Sequence, residues 1–211
     1  EFRIIVVGGM LLSLNCGFMN GVTLIREPSQ TTTHLTGTST DFGVGLALWD
    51  WHDIYFFGGL ILIYCVACGI SASQTPSKKF SASNNYGRVL ILSSSVILVS
   101  SIVAVLFRER AEIYQMAVTG SAGLMNGAMS RYSGNITRVG HVTGTASDFG
   151  VLFGRYLMGQ TEILWKVQIL FMSLFTFWFG GVLCQWIEPH LEDAVLFVNV
   201  GFMVVIGVAY M

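Results

Sequence analysis

Two decapeptides in this chain carry histidine, threonine and aspartate at matched spacing. Residues 34–43 read HLTGTSTDFG and residues 141–150 read HVTGTASDFG. Seven of the ten positions are identical, namely His34/His141, Thr36/Thr143, Gly37/Gly144, Thr38/Thr145, Asp41/Asp148, Phe42/Phe149 and Gly43/Gly150. Imidazole, hydroxyl and carboxylate groups form hydrogen bonds, and histidine and aspartate also exchange protons. Each copy is therefore a candidate site for binding a polar solute or relaying a proton.

The composition of the chain is typical of a helical membrane protein. Apolar residues make up 53% and charged residues only 11%, whereas soluble domains carry about 25% charged residues. A chain this poor in charge is expected in a bilayer. The net charge of −1 gives no indication of nucleic-acid binding. We expect an integral protein of a bacterial inner membrane or of an organellar membrane.

Six apolar runs are long enough to cross a bilayer, which takes roughly 20 residues. They cover approximately 3–25, 54–73, 88–107, 112–131, 163–187 and 193–211. Two more polar segments, 36–49 and 141–158, contain the decapeptides and are also expected to be helical. The predicted fold is one all-α membrane domain over 1–211 with six transmembrane helices.

The two halves of the chain resemble each other beyond the decapeptides. GFMNG (17–21) precedes the first decapeptide and GLMNG (123–127) precedes the second. The chain is therefore predicted to be an internal duplication of residues 1–107 and 108–211. Asn20 and Asn126 would lie in helix interfaces, where an amide needs a partner. The threonine hydroxyls, the aspartate carboxylates or a ligand would supply it.

The charge distribution indicates whether the two polar segments cross the membrane. If they do not, each repeat has three spans and the second repeat is inverted. One side then collects most of the basic residues: Arg3, Lys78, Lys79, Arg88, Arg131, Arg138, Arg155 and Lys166. Acidic residues gather on the opposite side, which is the positive-inside asymmetry. If every segment crossed, the basic residues would divide almost equally, so six spans and two re-entrant segments are favoured.

Each decapeptide also contains a local signal for the start of a helix. Thr38-x-x-Asp41 and Thr145-x-x-Asp148 fit the capping box, in which the hydroxyl and the acidic side chain satisfy N–H groups of the first turn. The first helix would then begin at Ser39 and span roughly 16 Å, about half of the hydrocarbon core. Two such half-helices would point their N-termini at the centre, as in many secondary transporters.

The polar residues of the repeated motifs form the predicted binding site, with a structural alternative. The substrate-binding hypothesis covers Asn20, Thr36, Thr38, Asp41, Asn126, Thr143, Thr145 and Asp148. Asp41 and Asp148 either bind or relay, as ionisable groups at membrane depth commonly do, or only cap helices. His34 and His141 are either proton-relay or ligand residues, or helix-entry histidines. No metal or cofactor site is predicted, although contact with lipid or pigment is compatible with the sequence.

The run GLMNGAMSRYSG and the two TGT motifs resemble the YoaK-like family of small polytopic membrane proteins, a domain-of-unknown-function family. The matching positions are Gly123, Asn126, Gly127, Arg131, Thr143, Gly144 and Thr145. Thr36-Gly37-Thr38 departs from the pattern, since the family often has asparagine after the TG pair. The resemblance implies a six-span membrane protein and implies no activity.

Two functions are open at this level. The first is a transporter or channel-like carrier of a small polar or ionic solute, for which the helix dipoles favour an anion while Asp41 and Asp148 favour a cation or a neutral solute. A water-lined cavity between the TGT motifs would favour this function.

The alternative is a non-catalytic subunit of a larger respiratory or photosynthetic membrane complex. The aromatic residues of 171–179 would then face lipid, pigment or a partner, and a dry centre between the TGT motifs would favour it. Membrane lipid, other subunits or a second copy are the expected partners. An enzyme is not expected, because no P-loop, H-E-x-x-H or G-x-S-x-G motif occurs.

Overall fold

The computed structural model describes residues 2–25, 30–33, 35–75, 84–106, 111–132 and 139–211. Within these ranges the chain is all helical, which confirms the expected class, and no strand is present. The α-helices are α1 (Phe2–Ile25), α2 (Thr36–Leu48), α3 (Trp51–Gln74), α4 (Asn84–Leu106), α5 (Ala111–Tyr132), α6 (Val142–Leu157), α7 (Leu164–Leu191) and α8 (Leu196–Ala209). Two short 3-10 helices, Thr161–Ile163 and Glu192–Ala194, precede α7 and α8.

Several of these helices are compatible with an integral membrane protein. Four described segments are long and apolar enough to cross a bilayer: Val6–Ile25, Trp51–Gln74, Asn84–Val103 and Thr161–Leu191. α8 is apolar but shorter. α5 is less apolar because it carries residues such as Thr119, Ser121 and Asn126, and these side chains are buried inside the bundle.

Glycines bring the long helices into close contact in two interfaces, α1 with α7 and α3 with α5. A methyl group at Gly17 of α1 would overlap the main chain of Phe177 in α7. A methyl group at Gly123 of α5 would lie 2.7 Å from the carbonyl oxygen of Tyr64 in α3. The absence of a side chain at these two positions therefore lets the backbones approach, as small residues do in membrane helix packing.

In both interfaces, a residue one turn later in one helix contacts a later residue of the other helix. Gly21, one turn after Gly17, faces the side chain of Cys184. Gly127, one turn after Gly123, faces the main chain of Cys68. The paired helices are therefore parallel.

The other long-helix contacts are antiparallel. α4 meets α5 through the Ser93 and Ser121 hydroxyls, whose oxygens lie 2.6 Å apart, and through Ser100, whose hydroxyl donates to the Tyr114 carbonyl at 3.5 Å. Because Ser100 follows Ser93 while Tyr114 precedes Ser121, the two helices run in opposite directions.

α8 closes the bundle between α1 and α4. The Asn199 amide donates to Asn15 Oδ1 at 2.8 Å, and the Tyr210 hydroxyl donates to the Ile4 carbonyl at 3.3 Å. α8 is therefore antiparallel to α1.

Contacts between α4 and α8 show the same relation. A methyl group at Gly87 would meet Met211, and one at Gly207 would meet Ile91. α1, α4 and α7 therefore run in one direction, and α3, α5 and α8 in the other.

α2 and α6 are short helices, and each lies against one long helix. α2 packs along the first half of α3, where Gly45 faces Asp53 and the Phe42 ring lies 3.0 Å from the position of a methyl group on Gly58. α6 packs along the first half of α7, and the ring centroids of Phe149 and Phe171 are 5.9 Å apart. α2 has 13 residues, about 20 Å of helix, which is less than the roughly 30 Å hydrocarbon core.

Charge separates between the two ends of the bundle. Arg3, Arg88 and Lys166 lie in the first turns of α1, α4 and α7, which begin at one end. Asp53 and Glu112 lie in the first turns of α3 and α5, which begin at the other end. The described residues therefore keep the asymmetry expected from the sequence. The predicted basic residues Lys78, Lys79 and Arg138 lie outside them.

Candidate functional site

The first turns of α2 and α6 line one cavity of about 320 Å³. Its walls are formed by Leu35, Thr36 and Ser39 from the start of α2, His141, Val142 and Thr143 from the start of α6, and Tyr64 from α3. α2 and α6 do not contact each other, so the cavity separates two helix N-termini that carry the same sequence motif.

His141 caps the N-terminus of α6. Its Nδ1 accepts a hydrogen bond from the Gly144 main-chain N–H at 3.1 Å, so the neutral ring carries its proton on Nε2. The side chain is exposed and lines the cavity. His141 therefore offers a hydrogen-bond donor to a molecule in the cavity.

The predicted capping boxes are wrong. The helices begin at Thr36 and Val142, about one turn earlier than the capping boxes required. The Thr145 hydroxyl donates to the His141 carbonyl at 3.1 Å inside the first turn, so it does not cap an N–H group. Asp41 and Asp148 consequently lie in the second turn, where a side chain no longer reaches the free N–H groups of the helix start.

Among the described residues, no side chain caps the N-terminus of α2. Leu35 occupies the cap position and has no polar side-chain atom, whereas the Ser39 N–H is already bonded to the Leu35 carbonyl at 2.8 Å. The N–H groups that precede Ser39 in the first turn are therefore left as donors at the cavity end of the helix. The Thr38 hydroxyl in the same turn is 1% exposed and also has no hydrogen-bond partner.

The asparagines of GFMNG and GLMNG hold the connections that lead into α2 and α6. Asn20 Oδ1 accepts from the main-chain N–H groups of Thr32 and Thr33 at 3.1 and 3.0 Å. Asn126 Oδ1 accepts from the Gly140 N–H at 3.0 Å, and its amide donates to the Ala122 carbonyl at 3.1 Å. Main-chain groups therefore supply the partners that both amides require, rather than the threonine hydroxyls or aspartate carboxylates.

The predicted site residues lie in different parts of the fold. Thr36, Thr143 and His141 come together at the cavity. Asn20 and Asn126 lie behind it as anchors of the connections, and Thr38 and Thr145 are buried inside first turns.

Asp41 is half-buried and Asp148 is exposed, and neither lines the cavity. His34 lies outside the described residues.

Sequence reasoning missed Ser39 and Tyr64. Ser39 lies inside the first decapeptide, and its place one turn after Thr36 on the same helix face was the available signal. Tyr64 lies in the apolar run of α3. Tyr64 faces Gly123 in the same way that Phe177 faces Gly17. Positions 64 and 177 are therefore equivalent in the two halves, but only Tyr64 carries a hydroxyl. No sequence motif marks that position.

A second polar cluster lies at the acidic end of the bundle. Oxygen and nitrogen atoms of Asp50, His52 and Asp53 lie within 4.8 Å of one another. Each already has a structural contact, since Asp50 caps α3 by accepting from the His52 and Asp53 N–H groups and His52 Nε2 lies 2.8 Å from Glu112 Oε1. The exposed His52 joins the start of α3 to the start of α5 through this contact with Glu112.

The apolar helices of this fold are compatible with an integral membrane protein, and a cavity of about 320 Å³ lies between the starts of α2 and α6. The chain belongs to the family described as "Protein of unknown function (DUF1275)", which matches residues 8–209. This family includes the YoaK-like proteins, so the resemblance inferred from the TGT and GLMNG motifs is confirmed. Comparison with curated proteins and with solved structures gave no match.

Proposed function

We propose that this protein is a transporter or channel-like carrier of a small polar or anionic solute. The observation that carries the proposal is the cavity of about 320 Å³ between the N-termini of α2 and α6. A cavity lined by paired short helices at the centre of a repeat is the recurrent solute site of secondary transporters. A dry, packed centre between the two motifs would favour an accessory subunit instead.

We further propose that six helices cross the membrane as two inverted three-span repeats. The helix directions support it, since α1, α3 and α4 alternate in the first half and α5, α7 and α8 alternate with the opposite sense in the second. α3 begins at the end of the bundle where α1 ends, so α2 would enter the membrane and leave it again on that same side. α6 does the same at the opposite end. The basic end would face the cytoplasm or the equivalent compartment.

Equivalent contacts in the two halves support the proposed duplication. The Ser93–Ser121 pair joins α4 to α5, and the Asn199–Asn15 pair joins α8 to α1 in the corresponding place. The glycine contacts of α1 with α7 and of α5 with α3 correspond in the same way. A single three-span unit that occurs twice explains these paired contacts.

The lining of the cavity favours a solute rich in hydrogen-bond acceptors. Thr36, Ser39, Thr143 and Tyr64 offer hydroxyl groups, and His141 offers Nε2–H in its neutral form. No carboxylate, lysine or arginine is among the described lining residues. Two helix N-termini add partial positive charge. A small anion or a neutral polar molecule therefore fits better than a cation.

The test uses the full chain reconstituted in lipid vesicles. Influx of glycerol, urea, formate and chloride is followed by light scattering after rapid mixing, against empty vesicles. We expect protein-dependent flux of at least one of these solutes. Thr143→Leu should reduce that flux to near the level of empty vesicles, because the larger apolar side chain fills the cavity. Ser147→Leu, one turn further along α6 and outside the lining, is the matched control and should leave the flux unchanged.

The alternative function, a non-catalytic subunit of a larger complex, would use the outer face of α7 as a partner surface. Phe171, Phe175, Trp178 and Phe179 are all more than 40% exposed. A lipid-facing helix exposes such side chains equally well, so this face favours neither function. Wild-type vesicles that pass none of the four solutes faster than empty vesicles would favour the subunit. Copurification with other membrane proteins would then be the next observation to seek.

A further inference from the structure

A second, apolar groove of about 350 Å³ lies between the start of α1 and the end of α8. Its lining includes Ile4, Val7 and Leu11 on α1 and Val205 and Ala209 on α8, with Arg3 at one end. The groove is on the outer surface, away from the cavity between α2 and α6, and shares none of its lining residues.

Tyr210 fixes the walls of this groove to each other. Its hydroxyl donates to the Ile4 carbonyl at 3.3 Å, and its ring occupies the space beside Gly8, where a methyl group would overlap it. The end of α8 is therefore tied to the first turns of α1. The groove is consequently a fixed feature of the packed helices.

The positive charge of Arg3, at one end of the groove, favours an anionic occupant. Arg3 is exposed, and no described acidic group forms an ion pair with it. It lies at the basic end of the bundle, with Arg88 and Lys166 in the first turns of α4 and α7. The planar guanidinium of arginine matches the geometry of a phosphate. An arginine beside a groove that lipid can reach is therefore expected to pair with a lipid phosphate.

The length of the groove fits one acyl chain of a single leaflet. Arg3 and Leu11 are separated by about 12 Å along the helix at 1.5 Å per residue. One leaflet supplies about half of the roughly 30 Å hydrocarbon core. A chain whose phosphate lies at Arg3 would therefore pass Ile4, Val7 and Leu11 within its own leaflet.

We infer that the groove between α1 and α8 binds an anionic phospholipid, with the phosphate paired to Arg3 and one acyl chain against Val7, Leu11 and Val205. The basic end of the bundle matches the negative leaflet of a membrane, which attracts basic groups near its surface. This lipid site is independent of the proposed transport function.

The experiment measures lipid retained by the purified full chain in native mass spectrometry, after exposure to vesicles of equal phosphatidylglycerol and phosphatidylcholine content. We expect wild-type protein to retain phosphatidylglycerol preferentially. Arg3→Gln should lower that preference about five-fold, the equivalent of roughly 1 kcal/mol for one basic group near an anionic surface. Arg155→Gln at the end of α6, outside the groove, is the matched control and should keep the wild-type preference.

A second variant tests the groove itself. Val7→Trp places a large side chain where the acyl chain would lie, and it should reduce lipid retention while Arg3 is unchanged. Equal retention of the two lipids by wild-type protein, or equal losses in Arg3→Gln and Arg155→Gln, would overturn the inference. Displacement of the lipid by glycerol 3-phosphate would also overturn it, because the site would then bind a free phosphate without needing the chain. Thermal unfolding of each variant checks that it is folded.

Discussion

At the scale of single residues, the repeated asparagines act through the backbone. Asn20 is 5% exposed, and its Oδ1 satisfies two buried N–H groups in the connection that precedes α2. Asn126 performs the matching role before α6. Asparagine occurs at both positions because each short helix needs a fixed starting point. In each half, the amide oxygen of an asparagine on a long helix fixes the connection that precedes the short helix. Asn20 and Asn126 therefore position the cavity without lining it.

Replacing Asn20 with alanine should destabilise the fold. The N–H groups of Thr32 and Thr33 would lose their acceptor, and each unsatisfied buried donor costs about 1–3 kcal/mol. We expect a loss of about 2–3 kcal/mol in the free energy of unfolding, measured by SDS titration of the protein in detergent micelles.

Thr40→Ala is the matched control for this change. The Thr40 hydroxyl is exposed and bonds only to the Thr36 carbonyl of its own helix, so its loss should cost less than about 0.5 kcal/mol. Asn20→Asp retains the acceptor oxygen and should be less destabilising than Asn20→Ala. Equal stability of Asn20→Ala and Thr40→Ala would show that the amide does not anchor the connection.

At the scale of elements, the glycines of the chain divide into two kinds. Gly17 and Gly123 lie where the backbones of two long parallel helices meet. Gly43 and Gly150 are equivalent residues of the decapeptides, and a methyl group on either would meet nothing within 4 Å. The first kind is required by packing between helices. The second kind lies on the outer faces of α2 and α6, which therefore carry little side-chain volume. No contact with the described residues requires glycine there.

Alanine at these positions should therefore have opposite effects. Gly17→Ala forces a methyl group into the main chain of Phe177, and overpacking of this kind costs typically 1–3 kcal/mol. Gly43→Ala meets open space and should stabilise α2 by about 0.5–1 kcal/mol, because alanine is the better helix former. Both values are read from SDS titration in the same detergent. A destabilised Gly43→Ala would indicate that another molecule or a second copy occupies that face.

The elements were more predictable from the sequence than the cavity was. Hydropathy and the repeated motifs indicated where each helix lies, and α2 and α6 were expected as short helices. The helix starts were misplaced, because Thr38-x-x-Asp41 matches a capping box by residue type while the chain already turns helical at Thr36.

The site itself was only partly predictable. Tyr64 lines the cavity because α3 packs against α5, and no local sequence pattern predicts such a tertiary contact. Asp41 and Asp148 do not line it, because the helices begin about one turn earlier than expected and place both carboxylates one turn further from the helix start.

At the scale of the whole molecule, helix directions and charge support the same proposed topology. α1 and α3 run in opposite directions, as do α5 and α7, which is consistent with α2 and α6 not crossing. The basic residues at the starts of α1, α4 and α7 then lie on one side of the membrane, and Asp50 between α2 and α3 lies on the other. If α6 crossed instead, Lys166 would lie on the same side as Asp50, because α6 would add a crossing to those of α3, α4 and α5 between them.

Cysteine accessibility distinguishes these topologies. Asp50→Cys, Arg88→Cys and Lys166→Cys are made singly in a chain whose half-exposed Cys68 and exposed Cys65 are replaced by serine. Intact cells are treated with a membrane-impermeant maleimide. We expect labelling of the cysteine at position 50 alone, since basic segments stay on the inner side. Permeabilised cells should label all three, which controls for burial. Labelling at 50 and 166 from the same side would contradict the two inverted repeats and would require α6 to span the bilayer.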